Sequence, residues 1–272
     1  MTIPSSAQVH PTAVISSECT IGEHVRVGPY VVAEGPVIIG AGCEIGPHVH
    51  LIGPLTIGRE NRIGTGSVIG SDPQHLAYRG QPSGTEVGDF NTFREHVTVH
   101  RGSHVEGYGT TRIGSHNYFM AASHVGHDSV VGNHCILANC ALMGGHSVLQ
   151  DRVFMSGNTS LHQFTRMGRL SLLMGQEGVG KDVPPFLTAK NPHAILGVNL
   201  IGLRRSGCTA DDISAVRRAC HILYRSGLLL KQGVERLDQE LGSKPIVQEM
   251  LQFIRESKRG IIRAMDRSGS EE

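Results

Sequence analysis

Hydrophobic residues recur along this chain every six positions, often with a glycine directly after them. A period of six belongs neither to an amphipathic helix, whose period is about 3.6, nor to a half-buried strand, whose period is two. The longest unbroken series runs through twelve hexads, from Ile113 to Val179. The earlier positions in the pattern are Val9, Ile15, Ile21, Val27, Ile39, Ile45, Leu51, Ile57, Ile63, Ile69, Val87, Phe93 and Val99.

This pattern predicts a triangular coil in which each hexad is one short strand followed by a corner. The aliphatic residue points inward, and small or turn-forming residues such as Gly, Asn, Asp and Ser occupy corners that need a positive φ. Three hexads make one coil, and stacked coils lie about 4.8 Å apart, the usual spacing between strands. No coil can bury its own face, so stability comes from stacking. Residues three hexads apart in the sequence therefore become neighbours in space.

Two segments interrupt the pattern, at residues 71–86 and 102–112. Both contain Gly, the first also contains Pro, and neither fits the hexads. They are predicted to be loops expelled from the coil. Long loops on a rigid scaffold are where binding residues tend to lie.

The coil is predicted to stop near Val183-Pro184-Pro185, which divides the chain into a coil domain, 1–190, and a helical domain, 191–272. Thr209 is a plausible N-cap for a helix ending near Ser226-Gly227. Two further helices are expected at about 230–241 and 246–265. The segment 268–272 is expected to be disordered.

Composition and charge argue against several classes of function. The formal net charge is +1, so nothing favours bulk binding of nucleic acid. No apolar stretch approaches the roughly 18 residues of a membrane span, and no secretory signal is evident. Six scattered cysteines without a C-x-x-C pair indicate reduced thiols in a cytoplasmic protein.

The coil spacing brings a His-rich stretch together at one edge. One predicted column holds His127, Gly145 and Gln163, and its two neighbours hold Gly126, Gly144 and His162, and Asp128, His146 and Phe164. An imidazole is a suitable general base near neutral pH, and an adjacent carboxylate can orient it. A glycine N–H can donate to a developing oxyanion. His127, Asp128 and Gly145 are therefore candidate catalytic residues; the alternative is that these histidines are ordinary polar corner residues.

Zinc is the competing chemistry, because some hexapeptide-repeat coils hold zinc between subunits with a His-x4-His pair and a third His. That spacing occurs nowhere in this chain. His96, His100 and His104 are four apart, but they straddle the second interruption. No metal site is expected.

Several linked motifs resemble the UDP-N-acetylglucosamine O-acyltransferases, which catalyse the first step of lipid A synthesis. The resemblance covers essentially the whole chain and implies a left-handed parallel β-helix followed by a C-terminal α-helical domain, assembled as a homotrimer without a cofactor. The matching segments are His124-Val-Gly-His127-Asp128, Gly132-Asn-His-Cys-Ile-Leu-Ala-Asn139, Gly145-His146, His162-Gln-Phe164, Asp182-Val-Pro-Pro185, His193-Ala194, Gly197-Val-Asn199, Gly202-Leu-Arg-Arg205 and Ile222-Leu-Tyr-Arg-Ser-Gly227.

The resemblance also implies roles. His127 would take the proton of the sugar 3-hydroxyl as it attacks a 3-hydroxyacyl thioester on acyl carrier protein, while Asp128 orients His127 and the Gly145 N–H binds the oxyanion. The other implied substrate-binding residues are His124, His146, His162, Gln163 and His193, with Asn199 and Arg205 at the nucleotide and Gly175 limiting acyl length. Basic residues such as Arg166, Arg169, Arg217 and Arg218 could meet the acidic carrier protein, or form a solvated face.

The chain departs from the family pattern where the acceptor is held. In the first interruption, the family's aspartate and lysine are replaced by His75 and Ala77, beside a retained Tyr78, so His75 and Tyr78 are candidate acceptor contacts. Ile201 and Ser206 replace an expected glutamate and arginine. Three interpretations stay open: the O-acyltransferase, a related acyltransferase with another acceptor such as a 3-amino sugar nucleotide, and a scaffold that has kept only the fold.

Overall fold

A computed structural model describes residues 3–105, 109–190 and 194–264. The chain forms a parallel β-helix followed by helices, which confirms the predicted fold class. The strands in chain order are β1 (Gln8–Val9), β2 (Val14–Ile15), β3 (Thr20–Ile21), β4 (Arg26–Val27), β5 (Val32–Glu34), β6 (Val37–Ile39), β7 (Glu44–Ile45), β8 (His50–Ile52), β9 (Leu55–Ile57), β10 (Arg62–Ile63), β11 (Val68–Ser71), β12 (Gly84–Val87), β13 (Thr92–Phe93), β14 (Thr98–His100), β15 (Thr110–Ile113), β16 (Tyr118–Phe119), β17 (His124–Val125), β18 (Val130–Val131), β19 (Ile136–Leu137), β20 (Leu142–Met143), β21 (Val148–Leu149), β22 (Phe154–Met155), β23 (Ser160–Leu161), β24 (Arg166–Met167), β25 (Leu172–Leu173), β26 (Gly178–Val179), β27 (Leu187–Lys190), β28 (Ala194–Val198) and β29 (Arg263–Ala264). The helices are α1 (Leu200–Arg205), α2 (Ala210–Arg225), α3 (Leu230–Leu241) and α4 (Pro245–Arg255).

Three sheets form the sides of the prism, because each strand of the coil pairs in parallel with the third strand along the chain. Within the described residues, the first sheet runs from β1 to β25 and continues into β27, β28 and β29; the second runs from β2 to β26, and the third from β3 to β24. Val125 lies opposite Met143 in the second sheet, so the predicted spacing of three hexads is the register of the stack.

The predicted inward positions form the core. Leu51, Val125 and Leu137 are fully buried. Val9 and Ile15 are only partly buried, because the first coil has a neighbouring coil on one side alone. Stacking of successive coils therefore buries the core, as the repeat predicts.

The corners differ from the prediction of small, turn-forming residues. Bulky residues such as His116, His134 and Phe164 adopt positive φ there. A left-handed conformation costs such residues about 1–2 kcal/mol each. Ring stacking from coil to coil offsets that cost: the ring centroids of His116 and His134 lie 4.9 Å apart with an interplanar angle of 5°.

A ladder of buried asparagines holds the register across both interruptions. The Asn91 N–H and side-chain amide both donate to Asn61 Oδ1, at 2.9 and 3.0 Å. The Asn117 N–H donates to Asn91 Oδ1 at 2.9 Å. These side chains satisfy buried backbone groups where the chain does not follow the regular spacing.

Both interruptions are loops that leave from one corner, between the second and third sheets. The first lies between β11 and β12, so it is shorter than the predicted 71–86; Ser71 and Gly84 at its ends still pair with neighbouring strands. The second lies between β14 and β15 and is likewise shorter than predicted, and part of it is outside the described residues. The loops thus meet the same edge of the coil.

The C-terminal helices match the prediction in α2 and α3. Thr209 caps α2 through a reciprocal capping box with Asp212. The last helix is shorter than the predicted 246–265: α4 ends at Arg255, and Gly260 has a φ of +71° that turns the chain back toward the coil. Helical spacing of apolar residues beyond Arg255 misled the prediction, because Ile261 and Ile262 are buried in an extended segment.

Four elements were not predicted from sequence: α1, β27, β28 and β29. β27 joins the first sheet in parallel beside β25, and β28 pairs antiparallel with β27, so the sheet runs past residue 190. The expected disorder of 268–272 concerns residues outside the described ranges. Among the described helices, none has the length and apolar character that crossing a bilayer requires.

Candidate active site

The predicted columns meet at the corner from which both loops leave. The His146 N–H donates to the His127 carbonyl at 2.8 Å, and the Phe164 N–H to the Gly145 carbonyl at 3.0 Å. Three successive coils are therefore stacked with the spacing that the sequence predicts. His127, Gly145 and Gln163 belong to one column along this edge.

A histidine–carboxylate pair lies at the centre of the corner. His127 Nδ1 and Asp128 Oδ2 are 2.8 Å apart, and both side chains are buried. Neighbouring side chains of an extended chain point to opposite sides. The φ of +58° at Asp128 breaks that alternation and lets the carboxylate reach the preceding imidazole.

The second loop closes over the Asp128 carboxylate. The Ser103 hydroxyl donates to Oδ2 at 2.6 Å, the Ser103 N–H approaches both oxygens at 3.0 and 3.1 Å, and the Gly109 N–H donates to Oδ1 at 2.9 Å. Burial alone would raise the pKa of Asp128, but hydrogen bonds from His127, Ser103 and Gly109 outweigh it and hold the pKa below its ordinary value. An ionised Asp128 accepts the Nδ1 proton of His127, which assigns the lone pair of the neutral ring to Nε2.

We expect Ser103→Ala to destabilise the protein by about 1.5–3 kcal/mol at pH 7, because a hydrogen bond to a buried charge is lost. The folded-state pKa of Asp128 is lowered, so its stabilising contribution is present above the unfolded pKa of about 3.9 and is lost as the pH falls through the folded pKa. Both proteins share the unfolded-state pKa, so the difference between them should stay constant from pH 7 down to about pH 4 and shrink only at more acidic pH, as the folded-state pKa is passed. Urea unfolding at pH 7, at pH 5 and at successively lower pH measures it, with Ser103→Thr as the control; a difference that already shrinks between pH 7 and pH 5 would contradict this account.

Gly145 is the residue against which the imidazole lies. A Cβ at this position would approach His127 Nε2 to 2.6 Å and Cε1 to 2.7 Å. Any side chain larger than glycine would therefore displace the ring. The basic nitrogen of His127 faces the backbone of the next coil.

A cavity of about 600 Å³ opens in front of this pair. It contains no Asp, Glu, Lys or Arg among its lining residues, so its polarity comes from imidazole, amide and hydroxyl groups. Those lining residues are Gln74, His100, His124, Gly126, His127, Leu142, Met143, Gly144, Gly145, Ser160, Leu161, His162 and Gln163. The predicted residues His124, His162 and Gln163 therefore share the cavity with His127 and Gly145.

His100 was missed by sequence reasoning, because it ends the strand before the second loop, where the regular spacing breaks. Its ring packs edge-on against His124, with centroids 4.9 Å apart, and the Thr98 hydroxyl lies 2.8 Å from His124 Nδ1. Burial, with His100 and His127 nearby, lowers the pKa of His124 to about 4. His124 is accordingly neutral at physiological pH.

The first loop brings His75 to the site. Its ring centroid lies 5.3 Å from that of His127, edge to face. The Ala77 N–H donates to His75 Nδ1 at 3.1 Å, which leaves Nε2–H as the outward donor of the neutral ring. The Tyr78 hydroxyl instead donates within its own loop, to the Gln81 carbonyl at 3.3 Å.

His146 lies behind the pair and is not among the residues that line the cavity. It is stacked on Phe164 with centroids 4.5 Å apart, and its Nε2 is 3.7 Å from Asp128 Oδ2. Ligand atoms of His127, Asp128 and His146 lie within 4.8 Å of one another, as a metal site would require. Ser103 and Gly109 already occupy the carboxylate oxygens, however, so this donor set fits a metal poorly.

Besides His146, the predicted substrate-binding residues Asn199, Arg205 and Gly175 do not line this cavity. Asn199 and Arg205 line a second cavity of about 390 Å³ along the first sheet, with His134 and Arg152. Asn199 also caps α1 by accepting from the Gly202 N–H at 3.0 Å. Gly175 lies at the corner between the first and second sheets. A Cβ added to it would lie 3.5 Å from the Gly157 carbonyl oxygen. His193 is outside the described residues.

The fold and the His–Asp pair at a coil corner define a transferase of the hexapeptide-repeat class. A hexapeptide-repeat profile matches residues 36–71, and the profile described as Udp N-acetylglucosamine O-acyltransferase, domain 2, matches residues 182–262.

A protein of Halorhodospira halophila named acyl-[acyl-carrier-protein]--UDP-N-acetylglucosamine O-acyltransferase is 46% identical over 94% of this chain and 99% of its own length. A protein of the same name from Syntrophobacter fumaroxidans is 38% identical over 94% of this chain and 100% of its own. The chain belongs to the UDP-N-acetylglucosamine O-acyltransferase family, as the motifs predicted.

Solved structures agree with this assignment. The UDP-N-acetylglucosamine acyltransferase of Francisella novicida superimposes with a TM-score of 0.92 at 31% identity, covering 95% of both chains. The corresponding acyltransferase of Bacteroides fragilis gives a TM-score of 0.91 at 37% identity, covering 94% of this chain and all of that one.

Proposed function

We propose that the protein transfers a 3-hydroxyacyl chain from acyl carrier protein to the 3-hydroxyl of UDP-N-acetylglucosamine, with His127 as the general base. The observation that carries the proposal is the His127–Asp128 pair, 2.8 Å apart, whose free imidazole nitrogen faces the Gly145 backbone in a cavity. The family relatives are named for this reaction.

The proposed reaction begins when His127 Nε2 takes the hydroxyl proton as the sugar oxygen attacks the thioester carbon. The negative charge moves to the carbonyl oxygen, where the Gly145 N–H can donate to it. Collapse of the tetrahedral intermediate breaks the carbon–sulfur bond, and the departing thiolate takes the proton from the imidazolium of His127. Asp128 stays ionised throughout and stabilises that imidazolium.

A cavity lined without Asp, Glu, Lys or Arg supports a neutral hydroxyl acceptor. His124, His162 and Gln163 offer donors and acceptors that can pair with sugar hydroxyls and an amide, whereas no lining carboxylate can pair with an ammonium group. We assign His146 to support of Asp128 rather than to substrate contact, because it lies behind the pair. On resemblance, we assign Gly175, at the corner between the first and second sheets, to contact with the acyl chain.

We propose that the active enzyme is a homotrimer whose sites lie between subunits. Asn199 and Arg205 line a different cavity from His127 within one chain, and a neighbouring subunit would supply them to the same site. Mixing the inactive variants His127→Ala and Arg205→Ala, after subunit exchange, should restore a fraction of the wild-type activity. If the mixture stays as inactive as its parts while exchange is demonstrated, the shared site is wrong.

A second acceptor remains a candidate because of the first loop. His75 and Ala77 stand where the family pattern has an aspartate and a lysine, so the acceptor is held by a different set of groups. A 3-amino sugar nucleotide would give an amide instead of an ester.

The deciding experiment is a transfer assay with 3-hydroxyacyl carrier proteins of several chain lengths. UDP-N-acetylglucosamine and its 3-amino analogue are offered in parallel, and the products are identified by mass. We expect ester formation on the ordinary sugar; amide formation on the analogue alone would identify the second acceptor. Failure with both would contradict the proposed function.

We also propose a cytoplasmic location, since all six cysteines are unpaired, and activity without a cofactor.

A further inference from the structure

Three consecutive leucines are exposed at the turn between α2 and α3. Leu228, Leu229 and Leu230 have relative exposures of 36, 73 and 43%. Single exposed leucines are common on folded proteins, whereas contiguous exposed apolar residues mark places where another surface binds. The leucine turn, as we call residues 228–230, is therefore a candidate contact surface.

Leu229 also stands at the N-cap of α3, where an apolar residue is out of place. Ser, Thr, Asp and Asn are favoured at an N-cap, because their side-chain oxygens accept hydrogen bonds from free N–H groups of the first turn. The Leu229 side chain has no such oxygen, and no side-chain hydrogen bond caps α3 at this residue. Departures of this kind from a local rule are expected where a surface has a second role.

The helix α2 presents three basic side chains to a pocket. Arg217, His221 and Arg225 follow one another at intervals of four, so they share one face of the helix. They line a cavity of about 350 Å³ beside β28, which we call the cationic pocket. The other described lining residues are Gly197, Val198, Leu200 and Cys220, and none of them carries a carboxylate. An anion in this pocket would meet two guanidinium groups and an imidazole.

Arg225 connects the cationic pocket with the leucine turn. It is the last residue of α2, and two residues separate it from Leu228. Its Nη2 donates to the Leu196 carbonyl at 3.2 Å, and Leu196 is itself 43% exposed. Exposed apolar residues therefore lie beside the pocket both on β28 and after α2.

The exposed cations of this surface have no carboxylate partner among the described residues. The ion pairs of α2, α3 and α4 with one another and with Lys244 involve other cations, namely Arg218, Arg236, Lys244 and Arg255. Arg217, Arg225 and Lys231 form none of these pairs and are exposed. Residues 181–264 as a whole contain 14 Lys and Arg against 8 Asp and Glu. The surface therefore favours an anionic partner.

We propose that the leucine turn and the cationic pocket together dock the protein reversibly on an anionic lipid bilayer. A bilayer surface offers phosphates with hydrocarbon directly beneath them, so one partner satisfies both the cations and the exposed leucines. The leucines enter the boundary between headgroups and acyl chains, while Arg217, Arg225 and Lys231 bind lipid phosphates. The inference is independent of the acyl-transfer reaction.

Other occupants fit this surface less well. A symmetric contact with a second copy of the chain through the same surface would place like charges opposite each other, which is unfavourable. An acidic protein would satisfy the cations but would also need an apolar area shaped to receive three leucines. A bilayer needs no such matching shape.

The test measures co-sedimentation of the full chain with vesicles of phosphatidylcholine, prepared with and without phosphatidylglycerol. The first variant is Leu228→Ser/Leu229→Ser. Its new serine at the N-cap supports α3, so thermal unfolding should show no loss of stability. The matched control is Val14→Ser, which removes an aliphatic side chain that is 64% exposed on the first coil.

A second variant, Arg217→Glu/Lys231→Glu, reverses two charges of the surface. Lys181→Glu/Lys258→Glu makes the same change of net charge with exposed cations outside it and is the control. Binding of all variants is measured at low and moderate salt.

We expect wild type to bind vesicles that contain phosphatidylglycerol more tightly than neutral vesicles, and both controls to stay close to wild type. The leucine variant should bind about tenfold more weakly or worse, since membrane binding grows with the apolar area inserted. The charge variant should bind the anionic vesicles about tenfold more weakly and lose most of the salt dependence.

Wild type that stays in the supernatant with both kinds of vesicle would overturn the proposal, as would a leucine variant that binds like wild type. Sedimentation velocity adds an independent check: a leucine variant that forms a smaller assembly than wild type would show that a second copy covers the leucines. Binding of an acidic carrier protein that is lost in the leucine variant, without any binding of vesicles, would assign the surface to a protein instead.

Discussion

His127→Ala should lower kcat by about 10²–10⁴-fold while leaving the fold and the binding of sugar nucleotide nearly intact. Among the described residues that line the cavity, His127 is the one imidazole held by an ionised carboxylate, with its Nδ1 2.8 Å from Asp128 Oδ2. His124, another imidazole that lines the cavity, has its Nδ1 bonded to Thr98 and a pKa lowered to about 4, so it is a poor substitute. Burial also lowers the pKa of His100, which lines the cavity beside it. Steady-state kinetics with saturating donor, together with circular dichroism, measures the effect.

The matched control is His116→Ala, at an exposed corner of the coil where the ring is stacked between Phe90 and His134. That variant should lose some stability and retain its kcat. Carrier-dependent transfer that persists undiminished in His127→Ala would show that another group takes the proton, and the mechanism would have to be abandoned.

Gly145→Ala should reduce kcat by at least about 10²-fold through geometry alone. The added methyl group would meet His127 Nε2 at 2.6 Å, so either the ring or the backbone of the next coil must move. A displacement of about 1 Å at a reacting group can cost this much, and the N–H assigned to the oxyanion would move as well. The loss should appear in kcat more than in the KM for either substrate.

Gly157→Ala is the control for this change, since it lies in the coil immediately after that of Gly145 and its nearest neighbour, the Asn139 carbonyl, is at 3.5 Å from an added Cβ. That contact is ordinary, so the variant should keep full activity. If Gly145→Ala were as active as Gly157→Ala, the close packing of His127 on the next coil would have no catalytic importance.

The coil and the central pair of the site could be predicted because both follow from a fixed spacing. A residue three hexads away is a spatial neighbour, and this rule alone places Gly145 beside His127. The same rule cannot place residues of the expelled loops, where the spacing breaks. Ser103 and Gly109, which hold Asp128, and His100, which lines the cavity, were missed for that reason.

The C-terminal part shows a different limit. Thr209 and the apolar spacing after it predicted α2 correctly, because capping and amphipathicity are local signals. The extended segment around Ile261 carries the same kind of spacing, yet it packs against the coil through Asp182 instead of continuing α4. Long-range pairing overrode local propensity there.

The column of His127, Gly145 and Gln163 has a consequence for how such an enzyme can change. Its members belong to successive coils, so neighbouring members are separated by one strand spacing, about 4.8 Å. A point substitution changes which side chain occupies a position along this edge. Only the gain or loss of a whole coil changes the distances between the positions. An enzyme of this fold can therefore adapt to a substrate of different length more readily by substituting side chains along the edge than by shifting its backbone.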